Sequence, residues 1–252
     1  MMEIIEHHDK HADAATNENN LVIKLNCTPK GFGDTPDELT ADMFASALPV
    51  QHSYDYYVDE ARGIYIGVWD TTDMEETPGP YHCDEFMVLL EGAARIKNNR
   101  SDKCETILAG ESFVIPQGYD CQWQQQGYLR KFYVIAEHPE QSMPATAVHE
   151  GVVTFKAANN GIQYQHQGFT SGIYQGDTLA LLAEPMTSSK LQFFYLNRGK
   201  LTLTLLTPIN GQMMPTPEQA IEFKAGEAFI IPQAMVYQMA TSAESIIHYV
   251  EV

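Results

Sequence analysis

The 252-residue sequence is short of basic side chains, of paired cysteines and of long apolar runs. Its 15 lysines and arginines stand against 33 aspartates and glutamates, a formal net charge of −18. So acidic a surface repels phosphate backbones and anionic headgroups, so neither nucleic acid nor membrane is expected as a partner. No stretch of about 18 apolar residues is available to span a bilayer. The opening MMEIIEHHDKHADAATNENN lacks the basic start and apolar core of a secretory signal, and a cytoplasmic protein is expected. The four cysteines, Cys27, Cys83, Cys104 and Cys121, form no CxxC pair, which argues against a zinc ribbon and against a disulfide scaffold.

What is present is the composition of an ordinary globular protein, 44% hydrophobic and 10% aromatic, in a chain long enough for two domains. Residues 1–20 have no apolar period and read as a flexible tail, with His7, His8 and His11 as solvated sequence. Asp37 to Leu48 has an acidic start and helical apolar spacing, closed by Pro49, and predicts a short N-terminal helix. From Tyr54 onward the chain breaks into short β-branched and aromatic runs, such as GIYIGVW, EFMVLLEG and KLTLTLL, between Gly, Pro, Asn and Asp. That pattern predicts an antiparallel sandwich or barrel.

The sequence also repeats itself. GESFVIPQGYDCQW from Gly110 lies over GEAFIIPQAMVYQM from Gly226 without a gap, seven of fourteen positions being identical. RKFYVIA (Arg130 to Ala136) lies over IIHYVEV (Ile246 to Val252) at the same offset of 116. EFMVLLEG from Glu85 matches QFFYLNRG from Gln192 at an offset of 107, so the second copy carries nine extra residues, expected as a longer hairpin loop in TPINGQMMPTPEQ. Two domains follow, 21–139 and 140–252, joined through EHPEQSMP (Glu137 to Pro144).

Glu85, six residues, Gly92, then Gly110, five residues, Pro116, Gln117, Gly118: this skeleton resembles the two cupin motifs, G-x5-H-x-H-x(3,4)-E-x6-G and G-x5-P-x-G-x2-H-x3-N. The wider pattern GVWD…DEF..LLEG…AGESFVIPQG…RKFYVI looks like the cupin subfamily of (S)-ureidoglycine aminohydrolase. The resemblance implies an all-β bicupin, two tandem RmlC-like jelly-roll β-sandwich barrels. Gly92, Gly110 and Gly199 then sit at hairpin turns, and Pro116 and Pro232 end strands.

The resemblance also implies a metal held by imidazoles and one carboxylate, and here the sequence departs from it. Counting back from Glu85, the two His positions fall on Pro78 and Pro80, or on Gly79 and Tyr81; the third falls on Cys121. In the second copy Gln192 takes the Glu position and Tyr237 the third His position, with Pro185, Met186, Thr187 and Ser188 at the others. The subfamily's aminohydrolase activity therefore does not carry over.

Cys83 and Glu85 share strand parity, and with Cys121 they could hold a divalent transition metal as an atypical thiolate-rich set, with Tyr81 or His82 as a further ligand; otherwise the cysteines are buried filling. Without metal, a Glu85 inside the barrel needs a donor, for which Tyr81 and Trp123 are the candidates. Tyr81, Cys83, Glu85, Cys121 and Trp123 are thus the expected ligand-binding residues. Asp84 faces away from Glu85 and is expected at the surface; His82 is expected outward and His248 packed. His52, His138, His149 and His166 show no partner at ligand spacing, and Arg130 and Lys131 are expected in a salt bridge or on a solvated rim. Two functions follow: a bicupin binding a small polar metabolite in its first barrel, without a cofactor, or an enzyme using the Cys83, Glu85 and Cys121 set. A homodimer is expected, since exposed edge strands invite pairing.

Overall fold

The computed structural model describes residues 22–101, 103–138, 151–156, 158–209 and 212–252. The expected tail with its three histidines, His149 and most of the EHPEQSMP linker lie outside them. The described chain is almost wholly antiparallel sheet. It runs through β1 (Ile23–Leu25), β2 (Gln51–Asp59), β3 (Ile64–Thr71), β4 (Met74–Glu75), β5 (Gly79–Pro80), β6 (Asp84–Glu91), β7 (Ala93–Asn98), β8 (Cys104–Leu108), β9 (Ser112–Ile115), β10 (Asp120–Gln125) and β11 (Leu129–Ala136). The second copy adds β12 (Val153–Thr154), β13 (Gly161–His166), β14 (Phe169–Gln175), β15 (Met186–Thr187), β16 (Gln192–Arg198), β17 (Lys200–Ile209), β18 (Gln212–Lys224), β19 (Ala228–Ile231), β20 (Val236–Thr241) and β21 (Ile246–Glu251).

Each copy is a sandwich of a six-stranded and a smaller sheet. The first joins β12-β9-β6-β11-β3-β2 to β4-β10-β7-β8, with β5 also on β10; the second joins β1-β19-β16-β21-β14-β13 to β15-β20-β17-β18. The two six-stranded sheets pack against each other. Ile66, Val68, Phe86, Val88, Phe132 and Val134 from the first meet Phe169, Ile173, Phe193, Tyr195, Ile230 and Val250 from the second in one buried layer. Separate cores fill the two barrels. The central strands are therefore covered on both faces, which is why EFMVLL is apolar at successive positions rather than at every second one. On β6, Met87 and Leu89 enter the first barrel while Phe86 and Val88 enter the shared layer.

The sheets exchange strands. β1, expected to open the first domain, pairs with β19 of the second barrel (Ile23 opposite Ile230), and β12 pairs with β9 of the first (Val153 opposite Val114). In each case an exposed sheet edge is covered by the strand that precedes the other barrel.

The repeat is written into the packing. Gly67 on β3 faces Tyr133 on β11, and Gly172 on β14 faces Tyr249 on β21. A β-carbon at either glycine would lie 2.3 or 2.6 Å from the tyrosine oxygen, so the missing side chain is the room the ring occupies. Gly92 and Gly199 take φ of 81° and 89° at the hairpin turns, where a side chain would be strained.

Two expectations on local structure need correction. The segment Asp37 to Leu48 is not a helix beyond one 3-10 turn, Ala41–Met43; Thr40 makes no side-chain cap, and the flanking backbone is drawn into sheet-like bonds, Ala45 N–H to Glu75 O at 2.8 Å and Thr77 N–H to Met43 O at 2.9 Å. The nine extra residues of the second copy do not form a loop but extend the β17–β18 hairpin, which stays paired out to Ile209 and Gln212. The only longer helical segment among the described residues is a 3-10 stretch, Gly176–Ala183, and no helix there is long and apolar enough to cross a membrane.

Candidate functional site

The first barrel holds a buried ion pair. Register sets Lys131 on β11 opposite Trp69 on β3 and Leu89 on β6, so its side chain enters the barrel two residues along from Leu129 and Tyr133. The ammonium lies 2.7 Å from Glu85 Oε1 and 3.2 Å from Met87 Sδ. It also lies 4.6 and 4.9 Å from the ring centres of Trp69 and Trp123, which stand edge to face to one another. The two charged side chains are 8% and 4% exposed, and charges so far from water persist only when paired. Tyr81, from the segment before β6, donates its hydroxyl to Glu85 Oε2. Burial, then the neighbouring Glu85 charge, lifts the Tyr81 hydroxyl well above the usual phenol range, so it serves as a donor. Trp123 instead donates to Gln125 Oε1 at 2.9 Å.

A second carboxyl borders the pair. Burial raises Glu76 to about 7, with Lys131 opposing the rise and Glu85 adding to it. Glu76 is therefore the group here that changes charge near neutrality.

The thiols stand apart. Burial, then the charges of Glu85 and Asp84, pushes Cys83 far up, and burial does the same to Cys121. Both are neutral thiols rather than thiolates. Cys83, Glu85 and Cys121 do not come together as ligands: among the described residues, Asp84, His138 and His166 form the group whose ligand atoms all lie within 4.8 Å.

The second barrel keeps the frame without the charge. Gln192, at the position of Glu85, accepts from Tyr237 at 2.7 Å and donates to Glu251 at 2.7 Å. Ile247, in that barrel's apolar core, stands where the first copy has Lys131. The ammonium thus distinguishes the two halves.

Asp84 is not at the surface. It faces away from Glu85, as strand alternation requires, but that face of β6 is covered by the second barrel, and the residue is wholly buried. Oδ1 accepts the Tyr164 hydroxyl at 2.6 Å and the Gln117 N–H at 2.8 Å; Oδ2 lies 2.8 Å from His138 Nε2 and 2.7 Å from His166 Nδ1. Burial works to raise this carboxyl, yet the hydrogen bonds, led by His138 and the Gln117 amide, outweigh it and hold it below the ordinary range. His138 and His166, which showed no partner in the sequence, thus share one. Their separations of 54 and 82 residues from Asp84 leave no local spacing to read. His52 likewise pairs with Asp70 at 2.7 Å. His82 is exposed, and His248 is packed between Phe155 and Tyr195 with Ser112 Oγ at 2.8 Å.

The positions a cupin uses for its metal do not fit one. Pro78, Gly79 and Pro80 offer no side-chain ligand, Tyr81 is committed to Glu85, and the open side of Glu85 faces an ammonium.

By sequence, residues 58–133 match the EutQ-like cupin domain family, and no curated protein matches the chain. In structure the chain is similar to a protein of unknown function of the DUF861 family from Pseudomonas syringae pv. tomato (TM-score 0.57, 15% identity, 92% of this chain and 100% of that one). It is also similar to a cupin 2 conserved barrel domain protein from Leptotrichia buccalis (TM-score 0.54, 13% identity, 82% and 89%) and to protein Ylba of the DUF861 family from E. coli (TM-score 0.50, 13% identity, 86% and 89%). At such identities the likeness speaks for fold alone. Residues 58–133 are thus similar to a cupin domain, and the chain has the fold of two tandem cupin-like jelly rolls.

Proposed function

We propose that the first barrel binds a small polar metabolite and does so without a metal, the Lys131 ammonium standing where a cupin would ligate its cation. The observation that carries this reading is the contact of Lys131 Nζ with Glu85, the one carboxylate retained from the motif, inside walls of Trp69 and Trp123. A fixed cation beside a carboxylate offers donors and acceptors to a neutral or zwitterionic solute, and the indole faces supply apolar contact. Glu76, titrating near 7, adds a group that can switch from donor to acceptor. In this reading the chain derives from the (S)-ureidoglycine aminohydrolase-type cupins, keeps their barrel and has exchanged their metal chemistry for recognition. The second barrel, with Gln192 and Ile247 at the matching positions, is scaffold.

The two tryptophans of the chain both flank Lys131, so intrinsic fluorescence reports on this site directly. The test titrates the purified protein with amides, ureido compounds, amino acids and hydroxy acids while following that signal and assaying metal content. A saturable response that Lys131→Met and Tyr81→Phe abolish is expected. A stoichiometric metal that disappears with Glu85→Gln refutes the proposal.

A further inference from the structure

The geometry points to a divalent transition-metal site outside both barrel interiors, formed by Asp84, His138 and His166 at the seam between the two halves. The three come from separate segments: β6 of the first barrel, the residues just after β11, and β13 on the edge of the second barrel's large sheet. One carboxylate and two imidazoles make a nitrogen and oxygen donor set suited to zinc, cobalt, nickel or manganese. The spacing suits it too. Bonds of about 2.1 Å put neighbouring ligand atoms about 3.0 Å apart at right angles and about 3.4 Å apart at the tetrahedral angle; His138 Nε2 and His166 Nδ1 lie 2.8 and 2.7 Å from Asp84 Oδ2, so a side-chain movement of a few tenths of an ångström admits the ion.

The surroundings are those of a ligating carboxylate. Tyr164 and the Gln117 amide occupy Oδ1 and so fix the plane in which Oδ2 faces the imidazoles, the outer-sphere support that metal sites use. His138 holds a φ of 51°, a left-handed backbone that is strained for a residue other than glycine, and it does so at the residue whose ring meets Asp84. Asp84 is sealed from solvent, while the His138 and His166 side chains are 10% and 26% exposed, so an ion reaches the site from the imidazole side.

In the metal-free protein an ionised carboxylate only accepts, so both rings donate to it. On binding, each ring nitrogen turns its lone pair to the cation, its proton moving to the other ring nitrogen or to solvent. Such a metal ties the edge strand of the second barrel to the first. This inference stands on residues separate from the Lys131 site, so each can fail alone.

The experiment strips the full chain with a chelator and titrates it with Zn2+ and, separately, Co2+. One equivalent is expected, with visible cobalt absorption and a raised melting temperature. His138→Gln and His166→Gln should each weaken binding at least tenfold, and Tyr164→Phe by about tenfold or more. Alanines at His7, His8 and His11 should leave it unchanged. Circular dichroism confirms that each variant is folded, and His166→Gln, at the most exposed ligand, is the variant best placed to stay so. No stoichiometric binding by the wild-type chain overturns the proposal, as does binding that survives undiminished in folded His166→Gln or that is lost with the three N-terminal histidines.

Discussion

Removing one member of the Glu85–Lys131 pair should be far more damaging than removing both. Lys131→Ile leaves Glu85, 4% exposed, with Tyr81 as its remaining partner, and Glu85→Gln leaves a buried ammonium without its anion. Breaking a buried pair in this way costs about 3–5 kcal/mol, and for Lys131 the loss of two indole contacts adds about 1–2 kcal/mol. The double variant recreates the residues of the second barrel, where Gln192 and Ile247 occupy the same positions without a charge. It should therefore lie within about 2 kcal/mol of wild type, where simple addition of the single losses predicts about 7 kcal/mol or more. Urea unfolding followed by far-ultraviolet circular dichroism, with tryptophan fluorescence reporting the first barrel, measures all four corners of the cycle. If the double variant is as unstable as the sum of the singles, the two side chains do not act as a pair and the substitution of an ammonium for a metal loses its physical basis.

Two titrations should shape stability against pH, with opposite signs. Glu76 is raised by burial to about 7, so the folded state holds its proton more tightly than the unfolded chain; the stabilisation is complete below about 4.5 and is lost as pH rises through 7. Glu76→Gln should flatten that slope, worth up to about 3 kcal/mol, in urea midpoints measured from pH 5 to 8. His248 is lowered by burial to about 4, so the unfolded chain takes up a proton that the folded one refuses, and stability falls as pH drops from 6.5 toward 4. His248→Phe, which installs the residue found at the matching Phe132, should remove this acid sensitivity while costing about 1 kcal/mol at pH 7 through the unpaired Ser112 hydroxyl. Gly67→Ala and Gly172→Ala should each lower stability by about 3 kcal/mol, since the added carbon meets backbone oxygens of Tyr54 and Gly161 as well as a tyrosine; thermal melts check both.

The fold was legible because its signals are local and occur twice: alternating short strands, turn glycines, and a fourteen-residue segment that recurs without a gap. What escaped came from contacts between the copies. Asp84 looked like a surface residue because a sheet usually has one wet face, yet the unbroken apolar run that follows it already implies cover on both sides. Lys131 reads from its own neighbours as a salt-bridge or rim residue, and the structure makes it a salt bridge, but a buried one inside the barrel. The repeat aligns it with apolar Ile247, which marks the position as inward, and a lysine at an inward position needs an anion such as Glu85. Tyr81, four residues before Glu85, is near enough for sequence to suggest the contact, whereas the meeting of His138 and His166 on one oxygen depends on how two barrels dock. The short helix failed for a related reason: its spacing is helical, but Glu75 and Thr77 claim the backbone of the segment for the sheet.

The crossing of strands between the halves orders events during synthesis. Ile23–Leu25 is made some two hundred residues before Ala228–Ile231, against which it zips. This strand must therefore wait for its partner while the first barrel closes, and the large sheet of the second barrel takes an edge strand from a segment made before the first barrel. A protein cut between the barrels would yield two halves that each carry the other's missing edge, and mixing them should rebuild the pair where either alone leaves a raw strand exposed.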